Sequence, residues 1–265
     1  MIIAMRLLLV ACATTRARAL STGGSTVRLE KFLNDASAAA SRAACTKLVK
    51  QGRVAVDGVV AKRAAAKVAA DARVTVDGVA VEPLPLLWAY HKPVGVHSTL
   101  SDDRGRLDLS TVAPRRSHPV GRLDADTSGL LLFSSDGALT HKLLSPRVAV
   151  EKEYVATCEI AEGADAALAR SPEAFLRDRL AAGVQTTLGV HVGDVLDARC
   201  ENDCVTVRLV VREGKHRMVR RMLANVGCPV VGLRRERVGD VRLGALAEGA
   251  VEAIADDGWA QSLIT

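Results

Sequence analysis

His118-Pro-Val-Gly121-Arg122-Leu-Asp124-Ala-Asp126-Thr-Ser-Gly129-Leu130-Leu-Leu-Phe133 is the most informative run of the chain. Gly121 and Gly129 bracket a polar turn, and Leu130 to Phe133 is an apolar run of strand length. Asp136 then stands as the cap of a short helix, Gly137 to Leu144, which Pro146 brings to a stop. Arg122, Asp124 and Asp126 therefore fall on a loop anchored by a core strand, a place where chemistry is commonly carried. Arg122 and Asp124 are two residues apart, so on extended backbone they share a side, and the guanidinium would keep the carboxylate ionised. Two readings of Asp124 stand side by side: a turn aspartate bonded to its own backbone, or a nucleophile. Asp126-Thr-Ser-Gly129 superficially matches an aspartic protease, but glycine is not third and no second copy completes a carboxylate dyad.

Outward from this run, two further phrases stand downstream and one upstream. Lys92-Pro-Val-Gly95 is a Pro/Gly turn after a strand, Leu86 to Tyr90. Glu151 to Thr157 alternates as a half-buried strand and contains Tyr154, one of two tyrosines. Val205 to Val211 reads as a strand, and Glu213-Gly-Lys215 leads into a helix. There Val219, Met222 and Leu223 form the apolar face, with Arg217, Arg220 and Arg221 opposite. Residues 161–199 are less legible: helices over Glu162 to Ala169 and Pro172 to Leu180, then turns and short strands from Gly183 to Asp197.

The N-terminal part has a different character. Residues 1–26 contain Arg6, Arg16 and Arg18, no acidic residue and a small-residue linker, the composition of a transit peptide for a mitochondrion or plastid. Its apolar run, Leu7 to Ala13, is too short and too Arg-punctuated for a membrane span, and no membrane partner is expected. Residues 27–82 form a small unit. Ser41 caps a helix over Arg42 to Gln51, and Gly52 stops it. Arg53-Val-Ala-Val-Asp57-Gly58 and Arg73-Val-Thr-Val-Asp77-Gly78 repeat one phrase twenty residues apart, each with an Asp-Gly hairpin turn. They are expected as two strands of one small sheet. The segment 27–78 holds ten Lys/Arg against five Asp/Glu, so it carries much of the net charge of +6. Arg28, Lys31, Arg42, Lys47, Lys50 and Arg53 are its candidate phosphate contacts. Glu82-Pro-Leu-Pro85 is a stiff hinge before a second domain, 84–262. The six cysteines are scattered and no His-Glu-x-x-His is present, which argues against a disulfide framework or a metal site.

Taken in order, these phrases resemble a known family. Val-Gly-Arg122-Leu-Asp124-x-x-Thr-Ser-Gly-Leu-Leu-Leu, Lys92-Pro-x-Gly, Lys152-x-Tyr154 and Glu-Gly-Lys215 are similar to the motifs of the RNA pseudouridine synthases of the RsuA/RluB branch. Ser41-Arg-x-x-Cys-x-x-Leu-Val-Lys50-x-Gly-Arg-Val-x-Val-x-Gly resembles the RNA-binding module first described in a small-subunit ribosomal protein, the S-four domain. The resemblance implies an α+β fold: a long, mostly antiparallel sheet flanked by helices, behind the small RNA-binding module. It implies isomerisation of uridine to pseudouridine in RNA, ribosomal RNA above all, by a monomer with no cofactor. Asp124 would be the nucleophile, with Arg122 and Lys215 as its cationic support. Tyr154 would stack on the flipped uracil, and Arg217, Arg220 and Arg221 would hold backbone phosphates. Methionine stands at 218, where the family more often has glutamine. The competing reading is a non-catalytic RNA-binding or ribosome-assembly protein on the same fold.

Overall fold

A computed structural model describes residues 26–264 except 37, 40, 70, 256 and 257. Of the segment expected as a transit peptide, only Thr26 lies among the described residues. Two compact units meet in sequence at Pro83 and Leu84.

The first unit opens with β1 (Thr26–Arg28), which runs directly into α1 (Leu29–Asp35). Leu29, Phe32 and Leu33 recur at helical spacing and are buried, packing on Cys45 and Val49 of α2 (Arg42–Lys50). The Ser41 hydroxyl caps α2, accepting from the Ala44 N–H at 3.2 Å. Strands β2 (Val54–Val56), β3 (Val59–Val60), β5 (Val74–Val76) and β6 (Val79–Val81) form a sheet in the order β3-β2-β5-β6, while β4 (Lys67–Ala69) pairs with β1. Each repeated phrase thus makes a whole hairpin rather than one strand. Both residues of each Asp-Gly turn have positive φ, 49° and 83° at Asp57-Gly58 and 51° and 81° at Asp77-Gly78, the geometry that matches strand twist. The central pair β2/β5 is antiparallel, with Val54 opposite Val76 and Val56 opposite Val74, so the repeat is folded about a local two-fold axis.

The second unit is built on a sheet with nine strands among the described residues: β7 (Leu87–Lys92), β8 (His118–Pro119), β9 (Ser128–Ser134), β10 (Lys152–Glu159), β13 (Asp194–Glu201), β14 (Cys204–Val211), β15 (Val230–Val238), β16 (Val241–Arg242) and β17 (Val251–Ala253). Its main path is β13-β14-β10-β15-β9-β7-β17, with β8 on β9 and β16 on β15. Every pairing is antiparallel except β9 with β15. A separate hairpin joins β11 (Val184–Thr186) to β12 (Gly189–His191).

Why Leu130 to Phe133 is uninterruptedly apolar is visible in the packing. Leu131 and Phe133 face one core, with Tyr90, Leu123, Tyr154 and helices α5 (Pro172–Ala182) and α6 (Met218–Asn225). Leu130 and Leu132 face the other, with Leu139 and Leu143 of α3 (Gly137–Leu144) and Ala260 of α7 (Gly258–Ile264). A strand covered on both faces cannot alternate with polar residues. Asp136 caps α3 as expected, accepting from Ala138 and Leu139 N–H at 2.7 and 3.0 Å. At Gly129 the parallel neighbour comes so close that a Cβ would lie 2.3 Å from the Arg235 carbonyl oxygen.

Three expectations are corrected. The helix expected from Glu162 starts at Ala166, because the Asp165 carboxylate caps it by accepting from Ala167 N–H; this is α4 (Ala166–Arg170). The stretch expected as turns and short strands, Gly183 to Asp197, does hold the short strands β11 and β12 but ends inside β13, an eight-residue strand whose register shifts between Val195 and Asp197. That irregularity breaks the period-two pattern by which a strand is recognised. Finally, α6 begins at Met218, and Arg217 before it is left-handed at φ 54°. Arg220 lies on the buried side of α6, so Arg217, Arg220 and Arg221 do not share an exposed face.

Candidate active site

The loop from Gly121 to Thr127 joins β8 to β9 along the edge of a cleft of about 880 Å³ in the second unit. Leu123 points into the core and is 6% exposed, so Arg122 and Asp124 on either side of it turn outward and line the cleft. The loop closes on itself through Thr127 N–H donating to the Asp124 carbonyl at 3.1 Å. The opposite wall comes from residues 97–106. There Asp102 accepts from the Arg104 and Arg106 N–H groups at 3.0 Å each and from the Arg106 guanidinium. That guanidinium and those amides hold the Asp102 carboxyl well below the usual carboxylate range. Thr99, Arg104 and His216 complete a polar lining.

Within this setting the Asp124 carboxylate is half-buried and makes no hydrogen bond or salt bridge among the described residues. Two cations nonetheless feel its charge, Lys92 and Arg217. Lys92, at the end of β7, is fully buried and donates to the Pro93 and Val96 carbonyls at 2.8 Å each. Burial pulls its ammonium down to about 8, against the opposing pull of Asp126 and Asp124. Arg217 lies 2.9 Å from the Asp126 carboxylate, and Arg220 reaches the same carboxylate at 3.4 Å. Burial pushes the Asp126 carboxyl up, but these two guanidiniums outweigh it and leave it below its ordinary value.

Neither Arg122 nor Lys215, the cations expected to support Asp124, pairs with its carboxylate among the described residues. Arg122 shares the cleft with Asp124 but forms no ion pair with it among the described residues. Lys215 is exposed, 3.3 Å from Glu213 and 3.5 Å from the Leu188 carbonyl. The chain neighbour Glu213 takes Lys215, while the left-handed turn at Arg217 directs that guanidinium to the aspartate loop. Tyr154 is 8% exposed and stands on β10 in the same apolar cluster as Leu123, with its hydroxyl 3.5 Å from Arg235 Nη1. Arg235 is itself buried and donates to the Leu130 carbonyl at 2.7 Å.

The three arginines expected to hold phosphates divide between different tasks. Arg220 donates to the carbonyls of Asp126 at 2.6 Å and Val230 at 3.1 Å, pinning the Gly121–Thr127 loop to β15. Arg221 donates to the Thr187 hydroxyl at 2.8 Å. Arg217 alone of the three lines the cleft. Sequence reasoning also passed over Lys92 and Arg235, although Lys92 belongs to the Lys-Pro-x-Gly phrase. A buried cation next to a glycine turn was the available signal.

In the first unit Arg28, Lys31, Arg42, Lys47, Lys50 and Arg53 are all exposed. Arg53 grips Asp77 at 2.9 and 2.5 Å, Lys31 meets Asp35 at 2.6 Å, and Arg28 stands 3.7 Å from Glu30. Arg42, Lys47 and Lys50, on α2 away from its buried Cys45 and Val49, have no ion-pair partner among the described residues. No group of His, Cys, Asp or Glu among the described residues has the arrangement of a metal site. No helix among them is long and apolar enough to cross a membrane.

Comparison with known proteins gives this geometry a family. Residues 87–225 match the family model for RNA pseudouridylate synthase, and residues 27–74 match the S4 domain. The chain is 38% identical to an uncharacterised RNA pseudouridine synthase of Mycobacterium leprae, over 90% of this chain and 93% of the relative. It is 34% identical to the ribosomal large subunit pseudouridine synthase B of Bacillus subtilis, covering 84% of this chain and 89% of the other. It is also 34% identical to the ribosomal small subunit pseudouridine synthase A of Escherichia coli, covering 87% and 97%. A crystal structure of a pseudouridylate synthase shares the fold at a TM-score of 0.54, with 24% identity over 89% of this chain and 99% of that one. The chain belongs to the RNA pseudouridylate synthase family, with an S4 domain preceding the catalytic unit.

Proposed function

We propose that this protein isomerises a uridine of ribosomal RNA to pseudouridine, with Asp124 as the nucleophile. The observation that carries this reading is the Asp124 carboxylate itself. It is half-buried at a polar cleft, lacks an ion-pair partner among the described residues, and lies in the field of Lys92 and Arg217. A nucleophile needs an unoccupied carboxylate, and cations that act at a distance attract an anionic substrate strand without occupying its oxygens. The reaction is redox-neutral. The bond from ribose C1′ to uracil N1 breaks, the ring turns, and C1′ joins uracil C5; C5 releases a proton and N1 gains one. No oxidant or reductant enters this balance.

The other residues follow from their places. Tyr154, in the apolar cluster with Leu123, is the ring on which the extruded base stacks. Arg122 and Arg104 meet flanking phosphates across the cleft. Arg217 replaces Lys215 as the cation that works with the aspartate loop. Arg42, Lys47 and Lys50 of the first unit supply sequence-independent attraction to RNA. Two of the relatives are named as synthases of the large and the small ribosomal subunit, which supports ribosomal RNA as the substrate class. Residues 1–26 direct the enzyme to a mitochondrion or plastid, and a fluorescent fusion of that segment tests the address. The enzyme acts as a monomer, which sedimentation of the full chain tests.

The deciding experiment maps pseudouridine in ribosomal RNA incubated with the wild-type protein and with Asp124→Asn. Carbodiimide adducts are read as reverse-transcription stops. A stop made by the wild type and absent with the variant supports both enzyme activity and nucleophile. Tight RNA binding by the wild type with no stop on any ribosomal RNA would favour the assembly-factor reading instead.

A further inference from the structure

We propose that Ser98 is a positioning residue for Asp124, acting through the backbone on both sides of the carboxylate. The proposal rests on the reading of Asp124 as the reacting group. The Ser98 hydroxyl donates to the Leu123 carbonyl at 2.7 Å and accepts from the Leu123 N–H at 3.0 Å. One hydroxyl thus captures both backbone polar groups of the residue before Asp124. On the other side, Gly95 N–H donates to the carbonyl of Ala125, the residue after Asp124, at 2.7 Å. Asp124 is held between these clamps, and both come from the single segment Pro93 to Ser98.

That segment is in turn made rigid from within and from outside. Buried Lys92 donates to the carbonyls of Pro93 and Val96, and the His97 and Thr99 backbone groups pair with Leu107 and Leu109 at 2.8 Å each. Asp124 itself has no side-chain bond to fix it among the described residues, so its placement depends on its backbone. Loss of the hydroxyl would leave the N–H and carbonyl of buried Leu123 without partners, and the loop would shift to find others. Displacement of a reacting group by about 1 Å costs on the order of 100-fold in rate. Ser98 also lines the cleft, but what the clamp predicts is an effect on turnover and not on binding.

The test uses the full-length protein and ribosomal RNA transcripts tritiated at uracil C5, so that each isomerisation releases tritium. Ser98→Ala is expected to lower single-turnover rate about 10- to 100-fold, with RNA Kd within threefold of wild type. Ser98→Thr retains the hydroxyl and is expected to restore most of that rate. Thermal melting of both variants accompanies the kinetics. A wild-type rate for Ser98→Ala overturns the proposal. So does equal loss in the alanine and threonine variants, or a parallel fall in RNA affinity and melting temperature, because each describes a merely structural serine. Asp124→Asn is run alongside. If that variant turns over normally, the Asp124 reading fails and this inference with it; if it is inactive while Ser98→Ala is normal, only the positioning role fails.

Discussion

Gly129→Ala probes the joint between fold and site most directly. Gly129 is the point at which β9 runs parallel to β15, opposite Arg235. An alanine Cβ there would lie 2.3 Å from the Arg235 carbonyl oxygen and 2.6 Å from its nitrogen, contacts that real Cβ atoms essentially never make. Both are backbone atoms, so no side chain can swing aside. The residue also has φ +102°, a conformation that side-chain-bearing residues rarely adopt. Backbone strain of this kind costs about 1–3 kcal/mol, and overpacking a buried contact about 1–3 kcal/mol more. A loss of about 4 kcal/mol lowers the melting temperature of a unit this size by about 8–16 °C. Parting the strands also moves Arg235, whose guanidinium reaches the Tyr154 hydroxyl and the Leu130 carbonyl, so turnover falls along with stability. Circular-dichroism melting and tritium release read the two effects. Gly137→Ala is the control, since a Cβ at Gly137 meets nothing within 4 Å and the glycine opens a helix. A Gly129→Ala melt within about 3 °C of wild type, or no worse than the control, would refute the close-approach argument.

Three other expectations are open to measurement. Lys92 falls from its ordinary 10.5 to about 8 on folding, so the unfolded chain binds more protons between those values and stability rises with pH across that window. The full burial penalty, on the order of 3 kcal/mol, applies below pH 8. Lys92→Met should therefore flatten the rise in denaturant-measured stability from pH 8 toward 10.5, and an unchanged slope would contradict the assignment. Arg217→Ala removes the cleft cation paired with Asp126 and should lower kcat at least about tenfold, a loss of about 1.4 kcal/mol or more of transition-state stabilisation; wild-type kinetics would leave Arg217 without a role. Changing Arg42, Lys47 and Lys50 together to glutamine should reduce the salt slope of RNA binding by about two, and an unaltered slope in a filter-binding titration would remove α2 from the RNA contact.

Much of the architecture could be read from local signals because those signals are local in origin. The Asp136 cap, the Asp-Gly hairpins and the doubly apolar strand β9 each depend on a few adjacent residues obeying backbone sterics and burial. β13 was not legible because its register shift interrupts alternation, and that shift is set by pairing with β14. The arginines of α6 show the same limit. Counting around a helix placed Arg220 on the solvent side, yet it is buried because it has carbonyls to satisfy on the Asp126 loop and at Val230.

The candidate nucleophile was legible for a similar reason, since Arg122-Leu123-Asp124 needs only an extended backbone to put its two charged residues on one side of a buried leucine. Which cation serves the carboxylate was not. The family resemblance pointed to Arg122 and Lys215, but Glu213 binds the Lys215 ammonium, and the left-handed residue Arg217 turns toward the loop instead. Lys92 and Ser98 reach the aspartate segment from about thirty residues away in sequence, through the β7–β9 pairing that brings the two loops together. Composition, motifs and turn chemistry thus determined many of the elements, the family resemblance and the candidate nucleophile. Tertiary structure decided which cations and backbone clamps surround that aspartate, because Coulombic and hydrogen-bond energies depend on distance in space, and distance in space is set by strand pairing rather than by position along the chain.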